Sequence, residues 1–381
     1  TTLLSMGLSL LVSFLVIYQK NTALKIITPV LLAATYAALA VYAFSNNQVW
    51  HVSAPLGAII LATSLGFTFL MVTEGRDKRR VRTMLGQYVS PAVLSSVVDH
   101  YQDHLKAEVG SNECLSILFS DIRGFTSLSE AVPADKVVEM LNYYFSVMTD
   151  TIFNHHGTID KFIGDAIMAF WNAPLEEKDH ARLSCSAALL MLRDIDNLNA
   201  QRAAETDGTA IAIDIGLGIH TGEAVVGNMG SDKRFDYSAL GDPVNLASRL
   251  EGQTKSYGVD IIIGPSTKEL VETEFAVIEL DLIRVKGKQL PEHIYALLGD
   301  SDVKGNPAFS QLKSANETMI QSYRNQKWAE ALNAAQDMRD LGQALAMDLG
   351  FLTALYEDRI ATFQKAAPPE DWDGVFVATS K

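Results

Sequence analysis

Residues 158–171 read TIDKFIGDAIMAFW. Two apolar runs, TIDKF (158–162) and AIMAFW (166–171), flank Ile163-Gly164-Asp165, and Gly and Asp are turn formers. The spacing predicts a β-hairpin. Asp165 directly precedes the run Ala166–Trp171, where an unpaired charge costs several kcal/mol unless something compensates it. Lys161 sits four places earlier. The hairpin therefore raises a chemical question as well as a topological one.

Working outward from the hairpin gives the fold. Upstream, Pro133–His155 carries Val137, Leu141, Phe145, Met148 and Ile152 on one face, with Gly157 just past its end. That is an amphipathic helix with a glycine stop. Before it, CLSILFS (114–120) reads as a buried strand. Downstream, a helix is predicted from Asp179 to about Arg202. AIAIDIGLGI (210–219) then alternates, the pattern of a half-buried strand. The order β-α-β-β-α-β is ferredoxin-like, an α/β (α+β) arrangement, inside a domain spanning 112–300.

Residues 1–73 differ from the rest. Thr1–Tyr18 carries no charge, and between Lys25 and Glu74 the only ionisable side chain with a charge near neutral pH is His51. Apolar stretches of roughly 20 residues are what a bilayer crossing requires. Three transmembrane helices are predicted, near 2–18, 26–44 and 54–73, the alternative being a buried soluble hairpin. RDKRRVR (76–82) follows the third, so that end is expected on the cytoplasmic side of the plasma (inner) membrane. The Lys20–Lys25 loop then also faces inward and SNNQVWH outward. The chain starts Thr-Thr with no initiator Met, so an extracytoplasmic segment and a further span are expected upstream.

Residues 74–111 are predicted to continue the third span as a juxtamembrane helical transmitter. Ser90-Pro91 restarts a second short helix that runs to about His100. Beyond the α/β domain, residues 301–381 are helical by pattern. YRNQKWAEALNAA (323–335) resembles part of a tetratricopeptide repeat, too short for an independent array and so expected to pack on the domain before it or on a partner.

Composition narrows the classes of function. The 381-residue chain has 31 Lys and Arg against 45 Asp and Glu, a formal net charge of −14. A nucleic-acid surface would need clustered positive charge, so none is expected. Cys114 and Cys185 lie in apolar runs without CxxC or His-rich spacing, which predicts buried free thiols. GxxxxGK[ST], HExxH, GxSxG and EF-hand patterns do not occur.

Two acidic positions remain. Asp121 closes the strand in ILFSDIRGFTS (117–127), and Asp165 sits at the hairpin turn. Either alone is an ordinary turn former or cap. If their strands are neighbours, both carboxylates emerge at one end of the sheet, where a hard cation such as Mg²⁺ or Mn²⁺ would relieve their repulsion. The RGFTS loop offers backbone N–H groups to phosphate. In FDYSALGDPVNLASRLEG (235–252), Asp242 reads as a helix cap with Pro243 first in the helix. Asn245 and Arg249 then share one face. An Arg there is a surface ion-pair partner, or, beside a triphosphate, a stabiliser of charge at a transferring phosphorus. In RVKGK (284–288), Lys286 and Lys288 read as a solvated basic turn, or as a phosphate contact.

Together SILFSDIRGFTSLSE, GTIDKFIGDAIMAFW, GLGIHTGEAVVGNMG and YSALGDPVNLASRLEG resemble the class III nucleotidyl cyclases, the adenylate and guanylate cyclases, over roughly 112–298. The resemblance implies that Asp121 and Asp165, helped by the Ile122 carbonyl, hold two Mg²⁺ or Mn²⁺ ions. It implies that the backbone around Gly124, Phe125 and Thr126 holds the triphosphate and that Lys286 contacts its β and γ phosphates. Lys161 matches the lysine reading adenine N1, and Ser238 stands where many adenylate cyclases have Asp. Asn245 would orient the ribose and Arg249 would stabilise the α-phosphoryl transition state. The implied activity is a membrane-anchored adenylate cyclase, ATP to 3′,5′-cyclic AMP and pyrophosphate, at the interface of a homodimer. The alternatives are a guanylate cyclase, or an inactive cyclase-like receptor used for dimerisation. A diguanylate cyclase shares the core, but GGDEF is absent. The membrane architecture resembles bacterial receptor cyclases with a CHASE2 sensor, and similar members with Thr or Ser at the Ser238 position suggest bicarbonate sensitivity as a hypothesis.

Overall fold

The computed structural model describes residues 2–19, 22–85, 110–205, 212–231, 234–284, 291–369 and 372–377. The chain divides into two units, 1–84 and 85–381.

The first unit holds three helices: α1 (Thr2–Tyr18), α2 (Thr22–Ser45) and α3 (Ser53–Leu85). Val12 and Val16 of α1 pack with Ile59 and Ala62 of α3 in a small core. Around it large apolar side chains stay exposed, among them Leu10, Phe14, Val41, Phe44, Leu65 and Met71. An exposed apolar surface of this extent marks a surface made for something other than water. Ala23–Ser45 and Ser53–Val72 are long and apolar enough to cross a membrane. The expectation of three spans is corrected here to two candidates. The 17 residues of α1 rise roughly 26 Å at 1.5 Å each, short of the ~30 Å hydrocarbon layer. α3 runs on past the apolar stretch to Leu85, the predicted continuation. The helix expected after Ser90-Pro91 falls outside the described residues.

The second unit opens with β1 (Ser111–Ile122), α4 (Phe125–Ala131), α5 (Ala134–Asn154), the hairpin β2 (Thr158–Ile163) and β3 (Ala166–Trp171), and α6 (His180–Glu205). It continues with β4 (Ile215–Ser231), β5 (Arg234–Leu240), α7 (Asp242–Tyr257), β6 (Ile261–Ile263), α8 (Pro265–Val271), β7 (Ala276–Arg284) and β8 (Glu292–Gly299). The tail is α9 (Ser301–Gly305), α10 (Pro307–Arg324), α11 (Trp328–Ala344), α12 (Gly350–Lys365) and β9 (Phe376–Val377). Among the described residues the strands form one sheet in the order β2-β3-β1-β4-β6-β8-β7-β9, with β5 pairing off this path with β4. β2-β3-β1-β4, with all neighbours antiparallel, is the expected ferredoxin-like half.

Alternation along β1 and β3 divides the core. Leu118, Ile122, Ile167, Ala169 and Trp171 face α5 and α6, meeting Met140, Tyr144, Met148 and Met191. Leu115, Ile117, Met168 and Phe170 face the opposite way, toward Ala239 and Ala247. Both faces are therefore covered, which explains the unbroken apolar reading of 115–119.

One strand differs from its prediction. Of the predicted strand 210–219, Ala210 and Ile211 fall outside the described residues, β4 begins at Ile215, and Ile215–His220 is buried throughout, not half-buried. The cause is α7, which lies on the glycine face. A Cβ on Gly218 would stand 2.2 Å from Glu251 N and 2.4 Å from Ala247 O, and one on Gly216 2.3 Å from Thr254 Oγ1. The small residues of the alternation are a seat for helix backbone, not a solvent face.

The tail packs against β7 and β8 in a second core containing Phe309, Leu312, Met319, Ala331, Leu352 and Tyr356. Buried Asp281 of β7 accepts from Tyr257 Oη at 2.7 Å and pairs with Arg359 at 2.7 Å. Of the cysteines, both free, Cys185 is buried as expected and Cys114 is only partly so.

Candidate active site

β1 carries Asp121 to the edge of the sheet and the β2–β3 turn carries Asp165 to the same edge. The antiparallel register pairs Ser120 with Ile167, so the two acids lie just beyond the last pair. The Asp121 carboxyl adjoins that of Asp165, and the Ile122 N–H favours the Asp165 carboxylate. Burial, then the adjoining Asp121, pushes Asp165 up to about 6. Glu251 of α7 faces the pair. Burial first, then Asp121, pushes it up to about 7 against the pull of Lys255 and Arg123. Lys255 Nζ stands 3.6 Å from Asp121 Oδ2.

This edge is rich in carboxylate oxygen and short of positive charge. The donor chemistry fits a hard divalent cation, which would neutralise the repulsion that now raises Asp165. Among the described residues no group of three or more His, Cys, Asp or Glu side chains is arranged to hold a metal ion. An ion would rest on Asp121 and Asp165, with backbone, water or substrate oxygens completing its shell.

Gly124, at φ 67°, turns the chain from β1 into α4 in a conformation costly for any residue with a Cβ. Phe125 and Thr126 occupy the first turn of α4, where backbone N–H groups lack intrahelical partners. Arg123 anchors this turn. Its N–H donates to Asp214 O at 2.8 Å, and its guanidinium reaches Val259 O at 2.7 Å, Asp260 at 3.0 Å and Asp214 at 3.2 Å.

α7 presents Asn245 and Arg249 one turn apart, Asn245 exposed and Arg249 partly so. Asn245 Nδ2 donates to Gly241 O at 3.3 Å. The helix start differs from expectation: Gly241 is the cap, and Asp242 already lies in the first turn.

Lys161 and Ser238 come together through a residue that sequence reasoning passed over. In β2 the register shifts between Ile159 and Lys161, so Asp160 is an extra, bulged residue. Bulges re-aim side chains. This one turns Asp160 inward, 1% exposed, toward β5. Ser238 Oγ donates to Asp160 Oδ2 at 2.7 Å and Ala239 N–H donates to the same oxygen at 3.1 Å. Lys161 Nζ lies 3.1 Å from Oδ1.

Three groupings result: Asp121, Ile122 and Asp165 beside Gly124–Thr126; Lys161 with Ser238; and Asn245 with Arg249. Lys286 and Lys288 fall outside the described residues. Glu251 was readable from its i,i+4 spacing to Lys255, whereas Asp160 was not, because nothing in TIDKF announces a bulge.

The family model described as the adenylate and guanylate cyclase catalytic domain matches residues 107–299. Adenylate cyclase 1 of Rhizobium meliloti (strain 1021) is 34% identical over 197 residues, 51% of this chain and 29% of that protein. An adenylate cyclase of Anabaena cylindrica is 36% identical over 246 residues, 63% of this chain and 47% of that protein. The matches thus span less than half the length of either relative. The solved structure of the guanylyl cyclase Cya2 is 36% identical, covering 50% of this chain and 94% of that one at a TM-score of 0.47.

Proposed function

The chain belongs to the adenylate and guanylate cyclase catalytic-domain family, and from that premise we propose that it converts ATP to 3′,5′-cyclic AMP and pyrophosphate as a membrane-anchored homodimer. The observation that carries this reading is the contact between Asp121 and Asp165 at the sheet edge, directly before the Gly124 turn. A divalent cation, Mg²⁺ or Mn²⁺, held there would lower the pKa of the ribose 3′-hydroxyl and polarise the α-phosphate.

The remaining steps fall to side chains and backbone. The N–H groups at Phe125 and Thr126 bind phosphate oxygens, with the turn braced by Arg123. Asn245 orients the ribose so that the 3′-oxygen lies in line with the α-phosphorus. Arg249 lies one turn further along the same face and neutralises charge that develops on the phosphoryl oxygens. Lys161 and Ser238 take the purine edge. Lys286, outside the described residues, is assigned the β and γ phosphates. The match to the cyclase catalytic domain supports a shared site, in which one protomer supplies Asp121 and Asp165 and its partner supplies Lys161, Ser238, Asn245 and Arg249.

The unit 1–84 supports anchoring, with α2 and α3 as spans and the catalytic unit on the cytoplasmic side. α10 and α11 form a repeat-like helical pair that stays part of the catalytic unit.

The GTP alternative draws on Ser238 standing where many adenylate cyclases have Asp, but its hydroxyl can donate to guanine O6 only by giving up its bond to Asp160. The purified chain should form cyclic AMP from ATP with Mn²⁺ or Mg²⁺, and cyclic GMP from GTP more slowly. Faster cyclic GMP formation would make it a guanylate cyclase. The absence of any cyclic nucleotide would leave the receptor reading.

A further inference from the structure

We propose that Asp160 is a positioning residue that fixes Ser238 as a hydrogen-bond acceptor and so selects adenine over guanine. The inference rests on the reading above that Lys161 and Ser238 meet the purine edge.

Hydrogen bonding decides the matter. A serine hydroxyl has one proton and two lone pairs, and rotates to suit its neighbours. Here it does not have that freedom. Asp160 Oδ2 already accepts the Ala239 N–H, so the oxygen acts as an acceptor, and the proton between it and Ser238 Oγ is the serine's. Ser238 is 5% exposed, and Asp160 1%. In so dry a place a committed bond to a carboxylate is hard to exchange for water. The serine's proton is spent inward, and only lone pairs remain for a ligand.

Lys161 is fixed in the complementary sense. Its ammonium stands 3.1 Å from Asp160 Oδ1. An ammonium has three protons, so the contact that holds the lysine leaves others for a ligand. One buried carboxylate therefore sets both readers, an acceptor at Ser238 and a donor at Lys161. Adenine offers the matching edge, a 6-amino donor beside the N1 acceptor. Guanine offers the reverse, the O6 acceptor beside N1–H, and would place lone pairs against lone pairs and N–H against N–H. A site whose polar groups are committed rejects the wrong partner more strongly than a rotatable hydroxyl does. The bulge at Asp160 makes this possible, because regular pairing of β2 would not turn that carboxylate toward β5 in this way.

The intact chain tests this without mutation. Steady-state kcat/KM is measured for ATP, purine riboside triphosphate, which lacks the 6-amino group, and inosine triphosphate, which carries a 6-oxo group and N1–H. The expected order is ATP, then the purine analogue, then inosine triphosphate, with about tenfold or more between the extremes, the factor that ~1.4 kcal/mol of mismatch produces. Equal turnover of ATP and inosine triphosphate would overturn the proposal while leaving the cyclase reading intact. No turnover of any purine would overturn both.

The variants then assign the effect to Asp160. D160A should lower the ATP to inosine triphosphate ratio about tenfold, a ratio unaffected by the fraction of protein folded. In an S238A background, D160A should change the ratio by clearly less than it does in the wild-type chain, since only its hold on Lys161 is then left to lose. An unchanged ratio in D160A, or an undiminished effect in the S238A background, overturns the proposal. D160A/S238D, which moves the carboxylate to the reading position, should recover preference for ATP.

Discussion

At Asp165 a single carboxyl group reports whether its edge of the sheet carries a cation. Its pKa stands near 6 in the folded chain, above the ordinary carboxylate value, because burial and Asp121 disfavour ionisation. Glu251, near 7, behaves in the same sense. Between about pH 4 and 7 the folded state therefore holds more protons than the unfolded chain, and stability falls as pH rises through that window. Metal-free protein should melt at progressively lower temperature from pH 4 to pH 7. Mn²⁺ should raise the melting temperature most at the upper end, where both groups are ionised. A melting temperature that Mn²⁺ leaves unmoved at pH 7 would count against a metal at Asp121 and Asp165. Both acids were legible in the sequence, because each interrupts or ends an apolar run. Asp160 was not: its burial depends on one extra residue in a ladder, which only the register of β2 on β3 reveals.

Among the elements, α7 and β4 are the pair whose fit decides the site. The helix rests on Gly216 and Gly218 at backbone distance, and it carries Asn245, Arg249 and Glu251. G218A would drive a methyl group into the backbone at Ala247 and Glu251, where no side chain can move aside. The expected cost is about 1–3 kcal/mol of stability. kcat should fall more than KM rises, since the groups placed for the transition state shift with the helix. Urea unfolding and steady-state kinetics measure both, and a fully active, equally stable G218A would refute the seating. The β-α-β-β-α-β order was legible because each element has its own periodicity. The burial of β4 was not, because alternation alone does not say whether small residues face water or another backbone. β5 escaped notice for a related reason, as a short segment between charges with no period of its own.

Across the whole molecule, two features set how the chain behaves. The first is the set of proposed site residues, read as one half from each protomer. Under the shared-site reading, D165A and R249A are each inactive but lack different halves, so mixing them should regenerate one intact site per heterodimer. Cyclic AMP formed by the mixture and not by either variant is the expected outcome, and an inactive mixture would falsify the shared site. The second is the link from the tail to the sheet. Arg359 and Asp281 are buried and paired, and Tyr257 at the end of α7 bonds the same carboxylate. Removing one partner of a buried pair leaves an uncompensated charge, so R359A should cost about 3–5 kcal/mol in urea unfolding. That tie joins residues 102 apart in sequence, Tyr257 and Arg359, and no local pattern could have announced it.

The pairing at Asp281 also dictates where this chain can be cut. Ending it near residue 300, at the boundary suggested by its motifs, would strip α10–α12 from β7 and β8. A fragment of that kind would expose Ile278, Leu280 and Ile294, all now buried, and strand a carboxylate without its guanidinium. It should be recovered as aggregate, whereas one reaching through Val377 should stay soluble once freed of residues 1–84. Sedimentation of the two fragments, expressed side by side, would measure the difference. The minimal portable catalytic piece is thus set by a buried charge pair at the tail's interface, Asp281 with Arg359, and not by the active-site motifs alone.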